Sequence, residues 1–131
     1  MSRSAAAEVA ALARLHAQLT DLAASLRQVP GVTTVSTAVT PRRYRPEDRV
    51  ECYVDAQVRN GNTVGIWLEF RWDDGSWVIE SSIRHNTDTG EDELVGLPPR
   101  YALSDDELAA ELDGAARFLT ESAQNLDFGA L

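Results

Sequence analysis

The stretch FRWDDGSWVI, residues 70–79, decides the fold. Asp74-Gly75 suits a two-residue hairpin turn, which needs positive φ at both central positions. Apolar residues alternate outward from it on both arms. Upstream, Val64, Ile66, Leu68, Phe70 and Trp72 alternate with Gly65, Trp67, Glu69 and Arg71; downstream, Trp77, Ile79, Ser81 and Ile83 alternate with Val78, Glu80, Ser82 and Arg84. This period of two is that of half-buried strands. A two-residue turn pairs Trp72 with Trp77, Phe70 with Ile79, Leu68 with Ser81 and Ile66 with Ile83. One face of the ribbon is therefore core.

Before it, Val50, Cys52, Val54, Ala56 and Val58 alternate with Glu51, Tyr53, Asp55, Gln57 and Arg59. A two-residue Asn60-Gly61 turn would mix the two faces. A three-residue loop, Asn60 to Asn62, keeps them apart and pairs Val58 with Val64, Val54 with Leu68 and Val50 with Trp72. Its left-handed residue is Gly61 or Asn62. Further upstream, GVTTVSTAVT (31–40) reads as a first strand. PRRYRP (41–46) reads as a loop that Arg42, Arg43, Arg45 and Arg49 make basic. A solvated loop balancing the acidic half fits the overall charge better than a nucleic-acid finger. Leu12, Leu15, Leu19, Leu22, Leu26 and Val29 step by three and four, so residues 5–29 form a helix that Pro30-Gly31 stops. The stripe packs on the protein's own sheet or makes a coiled-coil seam.

After residue 84, HNTDTGEDELVGLPPRYA (85–102) reads as an ordered crossover with an exposed acidic start. Ser104 and Glu107 then form a capping box, with Leu103 and Leu108 placed as a hydrophobic staple, and a last helix begins near Asp105. Asp105, Asp106 and Glu107 suit the positive end of its dipole. The fold class is thus α+β, a single domain over 1–131: an N-terminal helix, a four-stranded antiparallel meander and a C-terminal helix, both helices on one face of the sheet.

The composition bounds the function. With 131 residues, 44% of them apolar, the chain can bury a core without disulfides or metal. No apolar run approaches a membrane span, and Glu8 and Arg14 interrupt what would be a signal core, so a cytoplasmic protein without a membrane partner is expected. Cys52 lies in a strand pattern and is expected to be a buried, inert thiol. The net charge is -9, and residues 51–131 hold five Arg against seventeen acids. Such a field repels nucleic acid and favours a basic partner.

The two registers also write out the far face of the sheet. Tyr53, Glu69 and Glu80 fall in one cross-strand row, and Asp55, Trp67 and Ser82 in the next. Glu69 opposite Glu80 is a like-charge pair that needs compensation, for which Arg71 and Arg84 are placed. Either this is a solvated surface on which Arg71 and Arg84 screen the acids and Tyr53 and Trp67 cover their neighbours, or the aromatics edged by carboxylates form a protein-binding patch for a basic surface. The expected partner-binding residues are Tyr53, Asp55, Trp67, Glu69 and Glu80, with Asp88, Glu91, Asp92 and Glu93 of the acidic turn. No catalytic residues are expected: a carboxylate dyad would lack a cleft, a nucleophile and an oxyanion device. His16 and His85 have no ligands at zinc spacing. NTDTGEDE puts Gly90 at the third calcium position and lacks the bidentate Glu, so no metal or cofactor is expected. Walker, dinucleotide and Gly-x-Ser-x-Gly motifs are absent.

The order of elements, with WLEFRWDDGSWVIESSIRHNTDTGEDEL at its centre and LSDDELAAELDGAARFL closing it, resembles small immunity proteins of bacterial polymorphic toxin systems, in particular the TriTu-like group. The likeness covers residues 50–125 through a Trp-turn-Trp hairpin, an acidic Thr-Gly turn and a capped final helix. It implies a non-enzymatic protein that binds one cognate toxin domain and blocks its active site. The layout is also similar to secretion-chaperone-like folds, which bind an extended client segment, often as dimers. The two expectations separate on oligomeric state: a monomer or weak homodimer for the first, a stable dimer for the second.

Overall fold

A computed structural model describes residues 5–44 and 47–131, with side chains for 6–39 and 49–131. Along the chain run helix α1 (Ala5–Leu26), strands β1 (Val32–Tyr44), β2 (Glu47–Val58), β3 (Thr63–Asp73), β4 (Ser76–Thr87), β5 (Gly90–Gly96) and β6 (Arg100–Ala102), helix α2 (Asp105–Gln124) and a 3-10 turn, Phe128–Ala130. The strands form one antiparallel sheet in the order β1-β2-β3-β4-β5, with β6 also on β4.

The β3–β4 hairpin has the register its turn predicts. Asp74 and Gly75 sit at φ 45° and 92°, and Trp72 faces Trp77, Phe70 faces Ile79 and Glu69 faces Glu80. The β2–β3 hairpin corrects the expected register by two residues. Its three loop residues are Arg59, Asn60 and Gly61, closed by the Val58 N–H donating to the Asn62 carbonyl at 2.9 Å and the Gly61 N–H to the Val58 carbonyl at 3.0 Å. Gly61 takes the left-handed position, φ 89°. Val54 therefore faces Ile66, Cys52 faces Leu68 and Val50 faces Phe70. Alternation fixes which face a residue occupies, and a slip of two leaves every face unchanged.

Two other expectations are corrected. Residues 41–44 are not loop but the end of β1, where the backbones of Pro41, Arg42 and Arg43 pair with Val50, Arg49 and Asp48. β1 is an edge strand, a position that tolerates a residue without an N–H. Arg45 and Pro46 lie outside the described residues, as do the side chains of Arg42 and Arg43. The crossover after β4 is instead two more strands. β5 pairs with residues 82–87 of β4 and β6 with residues 77–79, both on the same edge, with Leu97-Pro98-Pro99 between them. The prolines cannot donate to a ladder, so they split one edge strand in two. The sheet is accordingly larger than a four-stranded meander.

Both helices cover one face of this sheet. α1 buries Leu15, Leu19, Leu22 and Leu26, and α2 buries Leu108, Leu112, Ala115 and Leu119, against Val54, Ile66, Leu68, Phe70, Ile79 and Ile83. Trp77 packs between Phe70 and Trp72, ring centres 6.0 and 5.3 Å away. Phe118 of α2 points away from this core and is 44% exposed. The cap of α2 forms: the Glu107 N–H donates to Ser104 Oγ at 3.2 Å, and the Leu103 N–H donates to Glu107 Oε2 at 2.7 Å. The staple does not, since Leu103 is 61% exposed while Leu108 is buried. Arg14 and Gln18 of α1 both bond Asp113 of α2. The last residues fold back on the β2–β3 loop: Phe128 is buried, and Asn60 and Asn62 donate to the Leu131 carbonyl at 2.9 and 3.1 Å. Among the described residues, no helix is long and apolar enough to cross a membrane.

Candidate functional site

The observed register rewrites the rows of the uncovered face. Glu51, Glu69 and Glu80 now share one row, with Arg49, Arg71 and Val78 in the row beside it. On the other side Tyr53, Trp67 and Ser82 share a row, followed by Asp55, Gly65 and Arg84. Tyr53, expected beside Glu69, stands instead directly opposite Trp67.

Glu69, at the centre of the carboxylate row, is held in an internal ionic network, while Glu80 at its end stays partly exposed. Glu69 is 1% exposed. Arg49 Nη1 donates to its Oε1 at 3.1 Å, and Arg71 Nη1 lies 3.7 Å from the same oxygen while donating to Glu80 Oε2 at 3.1 Å. Arg71 therefore bridges the like-charge pair, with Arg49 as the second counter-ion in place of Arg84. Burial pushes the Glu69 carboxyl above its ordinary value; the two guanidiniums pull it back, and Glu80 adds to the rise. Of the expected contact residues, Glu69 is thus removed by burial. A carboxylate enclosed in this way owes its charge to its neighbours, and breaking one link is expensive.

The aromatic row opens outward. Tyr53 and Trp67 are half-buried, and beside them the strands leave a cleft of about 350 Å³ lined by Tyr53, Asp55, Gly65, Trp67, Arg84, Asn86 and Glu91. Gly65 forms part of its floor, where a Cβ would crowd Asp55 Oδ1 at 3.2 Å and reach Asn86 Nδ2 at 3.9 Å. Arg84 crosses one side. Its guanidinium lies 5.8 Å from the Trp67 ring centre, donates to Glu91 Oε1 at 2.6 Å through Nη1 and to Ser82 Oγ at 3.2 Å through Nε. Asp55 has no hydrogen bond or ion pair among the described residues, and burial pushes its carboxyl up.

The acidic turn joins this face. Glu91 pairs with Asn86 and Glu93 with Arg84, so both project on the side of Trp67, whereas Asp92 pairs with His85 on the helix side. Asp88 lies in the two-residue loop between Thr87 and Gly90. The structure brings together Tyr53, Asp55, Trp67, Glu91 and Glu93, with Glu80 at the margin. Charged residues along an edge strand also keep that edge from pairing with another chain. Sequence reasoning missed Gly65 and Arg49. An isolated glycine inside a strand is the signal that could have exposed the first, since it marks a bulge or a close approach.

Cys52 is fully buried in β2, where burial and then Glu51 push its thiol up to about 12. Among the described residues no group of His, Cys, Asp and Glu could hold a metal ion. Comparison with protein-family models, with curated proteins and with solved structures finds no match. The functional reading rests on the residues themselves.

Proposed function

We propose that this chain is a non-enzymatic binding module that docks a basic protein surface on the open face of its sheet, acting as an immunity protein that covers and blocks a cognate bacterial toxin domain. The observation that carries the reading is Tyr53 against Trp67, half-exposed beside the unpaired Asp55, in a chain of net charge -9. Large amphipathic rings supply contact area at low entropic cost, and an acidic rim selects a cationic partner and speeds its approach. Glu80, Glu91 and Glu93 supply that rim; Asp88 and Asp92 contribute only through their long-range field. The test is co-expression with the product of the adjacent reading frame, followed by affinity measurement at low salt. Trp67→Ala together with Asp55→Arg is expected to weaken the complex at least about a hundredfold, the scale of losing a central hot spot. Unchanged affinity would end the proposal.

One observation favours a second reading, a secretion-chaperone-like protein. β1 runs for 13 residues at the sheet margin, and among the described residues no strand pairs with its outer edge. An extended client segment could add there as a further strand. Light scattering separates the two, because the chaperone reading requires a stable dimer and the immunity reading does not.

A further inference from the structure

We infer that the hollow above Gly65 is a socket for one arginine side chain of the protein partner, with Asp55 receiving the guanidinium and Trp67 and Tyr53 flanking it. The inference rests on the reading that the partner is a basic protein, and it says where that partner's anchor goes. Three observations converge on it. Gly65 lines the cleft, and its lack of a side chain lets the Asp55 carboxylate and the Asn86 amide close in to 3.2 and 3.9 Å from the point its Cβ would occupy. The cleft holds two carboxylates and one guanidinium, and Arg84 is already tied to Glu91, which leaves Asp55 as the uncompensated charge. The Arg84 guanidinium lies 5.8 Å from the Trp67 ring centre, within the range at which an indole face attracts a cation.

The chemistry selects arginine over lysine. A half-buried carboxylate has lost part of its hydration, and a ligand that enters must shed its own. A guanidinium is more weakly hydrated than an ammonium, presents a planar fork that matches a carboxylate in two parallel bonds, and stacks on an aromatic face. A cleft of about 350 Å³ is at the lower end of ligand-site sizes, which suits one side chain and not a folded loop. Glu69 and Glu80 take no part, because Arg49 and Arg71 already hold them.

The experiment is a titration of the uniformly ¹⁵N-labelled full chain at low salt with a short acetylated, amidated peptide carrying two arginines, and with its lysine counterpart. The expected result is a shift of the Gly65 amide and the Trp67 indole N–H, with the arginine peptide binding tighter. Asp55→Asn should weaken it about ten- to a hundredfold, the worth of a charge-assisted hydrogen bond. Gly65→Ala should weaken it as well, by filling the hollow, and the spectrum itself reports whether each variant is folded. Peptide binding that moves only residues 88–93 and ignores Asp55→Asn overturns the socket and leaves the basic-partner reading intact. Equal affinity for lysine overturns the choice of guanidinium. Absence of binding by either peptide overturns both the socket and the reading beneath it.

Discussion

Replacing Arg71 with Met tests the ionic network most directly. Arg71 lies between Glu69 and Glu80, its side chain 16% exposed, and Met keeps most of the aliphatic stem while deleting the charge. Glu69 would keep Arg49 but face Glu51 and Glu80 across the ladder without the bridging cation. A buried pair broken at one end costs about 3–5 kcal/mol when the orphan must stay charged. Glu69 has an escape, which is to take up a proton. From its ordinary value of 4.5, neutralisation at pH 7 costs about 1.36 kcal/mol for each intervening pH unit, a ceiling of about 3.4 kcal/mol. At pH 5 the same ceiling falls to about 0.7 kcal/mol. Urea unfolding of Arg71→Met should therefore show a loss of about 2–3 kcal/mol at pH 7, most of it recovered at pH 5. Glu69→Gln in the same chain should restore stability at pH 7 and flatten the pH dependence. Equal losses at both pH values, or a double variant no better than the single one, would refute the network as the seat of the effect.

Asp55 yields a second pH prediction. Its folded carboxyl is raised above the ordinary 3.8, so the folded state binds the proton more readily than the unfolded chain. Stability therefore rises as pH falls toward that value. Asp55→Asn should be more stable than the parent at neutral pH, and thermal melts across pH should show the advantage vanish near pH 3.8. The Cys52 thiol, at about 12, should resist a disulfide reagent at pH 8 in the folded chain and react at once in urea. Ser104→Ala should cost about 1 kcal/mol by removing the acceptor for the Glu107 N–H, read by thermal unfolding, with partner binding unchanged.

The fold was legible where local geometry leaves one solution. Asp74-Gly75 admits only a two-residue turn with positive φ, so one hairpin register follows without ambiguity. The loop at Arg59 to Gly61 obeys a weaker constraint. Two registers separated by two residues satisfy the same alternation, and what selects between them is which residues close the bulge. That slip moved Tyr53 from Glu69 to Trp67 and brought Glu51 into the acidic row, because alternation sets the face a residue occupies and not its cross-strand neighbour. β5 was illegible for a different reason. Gly-Glu-Asp-Glu lacks the β-branched and aromatic residues that mark strands, and it pairs because β4 offers an unsatisfied edge that charged residues can occupy while facing solvent. Arg49 was assigned to a basic loop because an arginine near other arginines and prolines carries no sign of the glutamate it meets on the neighbouring strand.

The two margins of the sheet differ in a way that limits how copies of the chain can meet. One margin is β5 and β6, acidic along its first part and broken by Pro98-Pro99; the other is the long β1, where Arg27 already donates to the Val35 carbonyl at 3.2 Å. Edge-to-edge growth needs a receptive margin on both sides, and among the described residues only β1 offers one. Two molecules joined through β1 would use the one open border that the described residues offer on each, so pairing through it leaves no further margin among them for the sheet to extend.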